Sequence, residues 1–138
     1  MPDTPVPLDR QLWDLVHAHD AAWDRAARTV GLSAAQACLL DALTDGGRSM
    51  GELAELLLCD ASNVTQLVAR LEAGGLVARR ADADDRRVKR VTITPAGRRV
   101  RRAVRRAFDF ADDRLGRLTE AERLRLSGLL GKLLAPPS

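Results

Sequence analysis

Hydrogen-bonding side chains crowd one face of the helix that is predicted to follow Asp60. At about 100° per residue, the branched apolar residues between 61 and 73 fall on one side and small polar residues fall opposite. Asparagine and glutamine can hydrogen-bond adenine edges in the major groove of a duplex, and arginine can hydrogen-bond guanine. The pattern predicts DNA contacts by Ser62, Asn63, Thr65, Gln66 and Arg70. An ordinary solvated helix face is the plainer interpretation of the same residues.

A charged segment at residues 82–90, DADDRRVKR, lies between two strand-like stretches and is expected to form a hairpin tip. A cation at such a tip can enter the narrow, electronegative minor groove of DNA. Asp85 and Arg87 lie on the same side of an extended chain, so the carboxylate can hold the guanidinium by an ion pair. We predict that Asp85, Arg86 and Arg87 form a second set of DNA contacts. A solvated charge run is the alternative.

The charge of the chain is unevenly distributed. Residues 1–60 carry four basic and ten acidic side chains, and residues 107–138 carry five of each. Residues 61–106 carry thirteen basic and four acidic side chains, a net charge of +9, which indicates a polyanionic partner. Six arginines between 98 and 106 contribute to that surplus. They fit phosphate contacts and a solvated helix face equally well.

The helices that must position these side chains are indicated by periodicity and by caps. Apolar residues spaced three and four apart predict a first helix over residues 8–30. Ser33 and Ser49 each stand three residues before a glutamine or a glutamate, which is the spacing of a capping box. Asp60 is a suitable N-cap for the next helix. Two short helices joined by a tight turn predict a helix-turn-helix.

A hairpin and two further helices follow. Residues 76–80 and 88–94 have strand-like patterns, so they predict the two strands of the hairpin. Thr94-Pro95 has the sequence of a helix start, and this helix is predicted to continue as far as Leu118. Thr119, followed by a glutamate three residues later, predicts the start of a final helix.

The predicted fold class is mainly α with a small β-hairpin wing. The length of 138 residues fits a single domain. Within it, a winged helix-turn-helix is predicted over 33–97, flanked by long helices in 8–30 and 98–134. The leucine stripes of these flanking helices have no sufficient partner in a small winged helix. A second copy of the chain would bury them, so we predict dimerisation through them.

Several functional classes lack support in the sequence. No serine-histidine-carboxylate arrangement, glycine-rich phosphate loop or spaced carboxylate pair is recognisable, so an enzyme is not expected. His17 and His19, two apart on a helix, point in different directions and cannot chelate one metal ion together. No apolar run reaches the roughly 18–20 residues of a transmembrane helix, and no signal peptide is recognisable. The chain is therefore expected to be cytoplasmic, with no cofactor.

The cysteines and aromatic residues have interpretations that involve no catalysis or redox chemistry. Cys38 and Cys59 are interpreted as small core residues. The four aromatic residues of the chain are too few for a platform that stacks single-stranded bases. They fit a core, a dimer contact or the wall of a ligand pocket, and for such a pocket we select Trp13, His17 and Trp23.

Four motifs lie within residues 33–97: MGELAELL at 50–57, SNVT at 62–65, LVARLEAGGLV at 67–77 and DRRVKRVTITPAG at 85–97. With these motifs the segment resembles the MarR family of bacterial winged-helix transcriptional regulators. The resemblance implies a homodimer with two winged-helix lobes on a pseudo-palindromic operator. It also implies that Arg87 enters the minor groove and that Asp85 orients it. It further implies that a small organic ligand enters a crevice beside the dimer helices and thereby causes the protein to release DNA. Isoleucine at position 93 replaces the more usual leucine of the wing signature.

The expected function is sequence-specific binding of double-stranded DNA by a homodimeric, ligand-responsive regulator, a repressor rather than an activator. Two other classes are retained. A sequence-tolerant basic DNA-coating protein would bind any duplex equally. A winged helix used only for protein–protein interaction would bind no DNA, and the net charge of +9 argues against it.

Overall fold

The computed structural model describes residues 5–57 and 60–138. The chain is mostly helical, with one small antiparallel sheet. The helices are α1 (Leu8–Arg28), α2 (Ala34–Ala42), α3 (Met50–Leu57), α4 (Ala61–Ala73), α5 (Pro95–Ala107), α6 (Phe110–Asp113) and α7 (Glu120–Leu134), and the strands are β1 (Arg48–Ser49), β2 (Val77–Ala81) and β3 (Lys89–Ile93). A 3-10 turn covers Leu115–Arg117. The predicted fold class is confirmed.

The chain divides into two compact units. One unit is Trp23–Phe108, which contains the helix-turn-helix and the hairpin. The other unit combines the chain up to Ala22 with the chain from Asp109 onward. Helix α1 therefore contributes residues to both units, and α7 belongs to the second.

Caps formed by the predicted residues fix the starts of the helices. Ser33 and Gln36 form a reciprocal capping box at α2, and Thr119 forms another with Glu122 at α7. Asp60 accepts a hydrogen bond from a first-turn amide of α4. Thr94 caps α5, and Pro95 occupies the first turn. Backbone N–H groups in a first turn have no intrahelical acceptor, so the N–H that proline lacks costs no hydrogen bond there.

The core of the Trp23–Phe108 unit lies between the helix-turn-helix and the sheet. Along α4, Val64, Val68 and Leu71 are buried, as the periodicity of this helix predicts. The remaining buried members of this core come from α2, α3 and the strands: Leu39, Leu40, Leu43, Leu53, Val77, Val91 and Ile93. Burying one side of α4 against this cluster leaves its polar side exposed.

The sheet has the order β1-β3-β2, and both pairings are antiparallel. Val77 pairs with Ile93 and Arg80 with Arg90 in the hairpin. The observed hairpin strands agree with the predicted ones to within one residue at each end. Strand β1 was not predicted, because two residues carry no readable periodicity.

The prediction of one helix from Pro95 to Leu118 is wrong. Helix α5 ends at Ala107, and Phe108 has extended backbone. The ring of Phe108 packs edge-on against Trp23 with centroids 5.2 Å apart. Burying this ring against α1 favours the break, whereas the apolar spacing on either side is still compatible with one helix.

The predicted burial of Cys38 is also wrong. Helix α2 buries Ala37, Leu39 and Leu40, while Cys38 is exposed. In a helix this apolar, hydrophobicity alone does not distinguish the sides, and Cys38 falls opposite the buried arc. Cys59 lies outside the described residues.

The terminal helices expose large apolar side chains. In the first half of α1, Leu8 and Trp13 are more than half exposed, and so are Leu124, Leu133 and Leu134 in α7. Among the described residues, no helix combines the length and apolarity needed to span a membrane.

Candidate nucleic-acid interface

The first turn of α4 is organised by Asp60. Its Oδ1 accepts hydrogen bonds from the backbone N–H of Asn63 at 2.9 Å and from the hydroxyl of Ser62 at 2.7 Å. The hydrogen bond from the Asn63 amide is the main cause of a lowered pKa for Asp60, and the Ser62 hydroxyl adds to it. Ser62 is therefore held at the helix start, while its oxygen remains exposed and able to accept a hydrogen bond.

Three predicted contacts meet on one wall of an open cavity of about 550 Å³. Asn63, Gln66 and Arg70 recur at spacings of three and four, so they form one stripe of α4. The other residues around this cavity are Ala35, Cys38, Leu56, Leu57 and Leu67. Ser62 and Thr65 are exposed on α4 but do not line the cavity. The outer side of α4 thus combines hydrogen-bonding groups with an apolar floor.

The tip of the hairpin holds an exposed arginine against an aspartate. Asp85 Oδ1 accepts hydrogen bonds from the backbone N–H of Arg87 at 3.1 Å and from its Nε at 3.2 Å. The side-chain hydrogen bond from Arg87 is the larger cause of a lowered pKa of Asp85. The Arg87 side chain is nevertheless 91% exposed. The predicted ion pair is confirmed, although Arg87 lies in a turn rather than in an extended segment.

An ion pair that the sequence did not reveal joins α4 to the hairpin. Arg79 Nη2 lies 2.9 Å from Glu72 Oε1, and the Arg79 backbone N–H donates to Glu72 Oε2 at 3.3 Å. The Arg79 hydrogen bond lowers the pKa of Glu72, and the same contact raises the pKa of Arg79. Seven residues separate the partners across Gly74 and Gly75, so helical spacing gives no signal of the pair.

The comparisons with known proteins agree with this geometry. A family model described as the MarR family matches residues 30–88. The transcriptional regulator HosA of Escherichia coli is 30% identical over 126 residues, which cover 90% of this chain and 92% of HosA. The chain belongs to the MarR family. HosA itself is named a transcriptional regulator.

Two solved structures share the fold of this MarR family member. Apo MarR of Escherichia coli matches with a TM-score of 0.81 at 24% identity, over 96% of this chain and 100% of MarR. A Staphylococcus aureus MepR–DNA complex matches with a TM-score of 0.78 at 23% identity, over 94% and 98% of the two chains.

BadR of Rhodopseudomonas palustris, named a transcriptional activatory protein, is also similar. It is 40% identical over 80 residues, which cover 55% of this chain and 46% of BadR. The chain therefore spans about half the length of that relative.

The arginines of α5 divide into two faces in this MarR family member. Arg98 Nη2 lies 3.6 Å from Asp45 Oδ1, and Arg105 Nε lies 2.6 Å from Asp41 Oδ1. Arg101 donates to the Leu43 carbonyl at 2.6 Å. A neighbouring stripe, about 100° further around the helix, makes no ion pair with any residue in 5–57 or 60–138 and consists of Arg99, Arg102 and Arg106. Arg98, Arg101 and Arg105 thus make contacts within the protein that neither sequence interpretation predicted, and phosphate contacts by the other three arginines stay a prediction.

The candidate ligand residues fall in different units of the chain. The rings of Trp13 and His17 lie with their centroids 4.4 Å apart and their planes tilted by 43°, and Trp13 is 60% exposed. Trp23 belongs to the other unit, where its Nε1 donates to the Ala34 carbonyl at 3.1 Å. Trp23 thereby ties α1 to the start of α2. The assignment of these three residues to a ligand pocket stays a prediction.

Proposed function

We propose that the protein is a cytoplasmic, homodimeric repressor that binds a pseudo-palindromic operator in double-stranded DNA. The proposal rests on the observation that one compact unit contains two elements suited to contact DNA bases and grooves. One is the exposed polar stripe of α4, and the other is the exposed Arg87 held by Asp85. A helix can read base edges in the major groove, and a wing-tip arginine can enter the adjacent minor groove.

The two elements have different tasks in this proposal. Asn63, Gln66 and Arg70 contact base edges and set the preferred sequence, and Ser62 and Thr65 contact the backbone or a base. Arg87 and Arg86 contact the minor groove and the phosphates, and Asp85 orients Arg87. The MepR–DNA complex shows that a chain of this fold is compatible with bound DNA.

A homodimer follows from the unpaired apolar surface of the terminal helices. Leu8, Trp13, Leu124, Leu133 and Leu134 would each be more than half exposed in a lone chain. A partner chain would remove them from water, at roughly 25 cal/mol per Å² of apolar area. Two recognition helices related by a twofold axis would then read half-sites about one helical turn, or ~34–36 Å, apart. A palindromic operator mirrors that symmetry.

A small organic effector is the second part of the proposal. Trp13 and His17 in one unit and Trp23 in the other stay its candidate contacts, because an aromatic ring can form the wall of an apolar pocket. Such a ligand can release DNA only by binding more tightly to a conformation that does not fit the operator. Its chemical identity is left to a screen.

Fluorescence anisotropy with two duplexes tests the proposal. One duplex is the DNA immediately upstream of the gene, and the other is the same DNA scrambled. We expect tighter binding to the upstream duplex by about a hundredfold, within the usual range of specific over non-specific binding. If both duplexes bind equally, a random-sequence selection separates a distant operator from the alternative DNA-coating function that the +9 segment would permit. Failure to enrich any sequence would refute the proposal.

The sign of regulation needs its own assay. Transcription from the bound promoter should fall when the protein is added to a purified transcription system. BadR is named as an activatory protein, so a rise in transcript is the contrary outcome that this assay can detect.

A further inference from the structure

The guanidinium of Arg90 lies where the hairpin meets the helix-turn-helix. Its Nε donates to the Gly46 carbonyl at 3.3 Å, and its Nη2 donates to the Gly47 carbonyl at 3.0 Å. Nη1 lies 3.5 Å from Asp82 Oδ1 and 3.9 Å from Glu52 Oε1. One side chain of β3 thus contacts the loop before β1, helix α3 and the beginning of the hairpin tip.

Asp82 links Arg90 to the hairpin tip. Its side chain is only 19% exposed, and its Oδ2 accepts hydrogen bonds from the backbone N–H groups of Asp84 at 3.2 Å and Asp85 at 3.1 Å. Asp85 in turn holds Arg87 by three hydrogen bonds, one from the backbone N–H and two from the side chain of that arginine. The contacts form an unbroken chain from Arg90 through Asp82 and Asp85 to Arg87.

The chemistry of this position suits arginine better than lysine. A guanidinium presents five N–H donors in a fixed fork, so it can serve two carbonyls and a carboxylate at once. Arg80 stands directly across the hairpin from Arg90, and like charges in such a pair repel each other. The carboxylates of Asp82 and Glu52, which lie 3.5 Å and 3.9 Å from Arg90 Nη1, offset that repulsion.

We propose that Arg90 is a positioning residue that holds the wing-tip Arg87 at the angle needed to enter the minor groove. The inference rests on the proposed DNA-binding function. Arg90 acts through Asp82 and Asp85 and does not contact DNA itself. The tip otherwise has few restraints, because its turn is exposed and is closed mainly by two backbone hydrogen bonds, Asp82 N–H to Val88 O and Val88 N–H to Asp85 O.

A double-mutant cycle tests whether Arg90 acts through Arg87. The four proteins are wild type, Arg90→Gln, Arg87→Ala and the double variant, each titrated with the operator. We expect Arg90→Gln to weaken binding about tenfold in the wild-type background and less than about twofold once Arg87 is alanine. Equal factors in both backgrounds would overturn the proposal, because a direct phosphate contact or a general loss of stability acts without Arg87.

Arg80→Gln is the matched control. It removes an arginine from the same rung of the hairpin, but Arg80 makes no ion pair among the described residues. Its effect on operator binding, whatever its size, should be the same factor with and without Arg87.

Hydrogen exchange of the DNA-free protein tests the positioning role of Arg90 without depending on DNA binding. Arg90→Gln should speed exchange of the amides of residues 84–88 about tenfold relative to Arg80→Gln, while core amides of α4 keep their protection. Equal exchange in the two variants would refute the chain of contacts even if operator binding is strong. Faster tip exchange in a protein that binds no DNA would instead refute only the proposed function.

Arg90→Lys covers the case in which Arg90→Gln fails to fold. The lysine retains the charge but lacks the fork, so we expect a folded protein with fast exchange at the tip and an operator affinity close to that of Arg87→Ala. Wild-type affinity and wild-type tip exchange in this variant would show that charge alone suffices, which contradicts the positioning role.

Discussion

Replacing Gly97 by alanine should destabilise the winged-helix unit strongly. A Cβ at this position would lie 2.0 Å from the Leu76 carbonyl oxygen and 2.8 Å from Ile93 Cγ1. Ordinary contact begins near 3.4 Å, so α5 and the start of β2 would have to separate by more than 1 Å. The Leu76 oxygen also accepts the backbone N–H of Thr94 at 3.1 Å, and this hydrogen bond would be strained or lost.

Three terms set the size of the effect. Overpacking in a close-packed site costs about 3 kcal/mol at the severe end of the usual range. Loss of the Thr94–Leu76 hydrogen bond adds about 1 kcal/mol. Alanine in place of glycine within α5 regains about 1 kcal/mol. The net loss is therefore about 3 kcal/mol, which lowers the melting temperature of a unit of this size by about 12 °C or more.

Thermal unfolding followed by circular dichroism at one fixed protein concentration measures the change, since association shifts the midpoint. Gly51→Ala in α3 is the control, because its Cβ would meet only the Ser49 hydroxyl, at 4.0 Å. That substitution should raise stability by up to ~1 kcal/mol. A Gly97→Ala protein as stable as wild type would refute the argument that the close approach of α5 to Leu76 requires glycine.

The remaining predictions concern base reading, assembly and pH. Gln66→Ala should cost about 1–3 kcal/mol on the operator and little on scrambled DNA; an equal loss on both in anisotropy titrations would show a backbone contact. A double substitution of Leu124 and Leu133 by aspartate should turn a dimer into a monomer in sedimentation velocity, whereas an unchanged dimer would place the interface elsewhere. The hydrogen bond from Arg79 lowers the pKa of Glu72 below 4.5, so its stabilising contribution is fully present above pH 4.5 and is lost as pH falls through the lower value. The urea midpoint of Glu72→Gln should therefore fall less between pH 6 and pH 3 than that of wild type, and identical falls would contradict the assignment.

The helix starts could be predicted because each is fixed by residues close together in the chain. Ser33, Asp60, Thr94 and Thr119 each cap a helix within the following turn, so a short window contains both donor and acceptor. The exposed face of α4 and the Asp85–Arg87 pair are local in the same sense.

The features that were missed depend on contacts between distant segments. Helix α5 ends at Ala107 because the ring of Phe108 contacts Trp23, and Arg90 reaches carbonyls more than forty residues away, at Gly46 and Gly47. The exposure of Cys38 depends on which side of α2 the other elements cover. A single sequence contains no pattern for such pairings, since they are decided by packing after the elements have formed.

The division of the α5 arginines limits how salt can act on DNA binding. Only cations that neutralise a DNA phosphate, and so release the counterions bound there, contribute to the salt dependence. Each phosphate contact on duplex DNA adds about −0.9 to the slope of the logarithm of the binding constant against the logarithm of the salt concentration. Arg79, Arg90, Arg98, Arg101 and Arg105 are already committed to protein oxygens. Arg87 keeps an exposed guanidinium beside Asp85, and the other basic side chains of 61–106 have no ion pair among the described residues: Arg70, Arg80, Arg86, Lys89, Arg99, Arg102 and Arg106. These eight cations limit the slope for one subunit to about −7. The arginines committed to protein oxygens therefore leave the salt dependence of binding unchanged, and the four that lie beside a carboxylate, Arg79, Arg90, Arg98 and Arg105, add little to the field that attracts DNA from a distance.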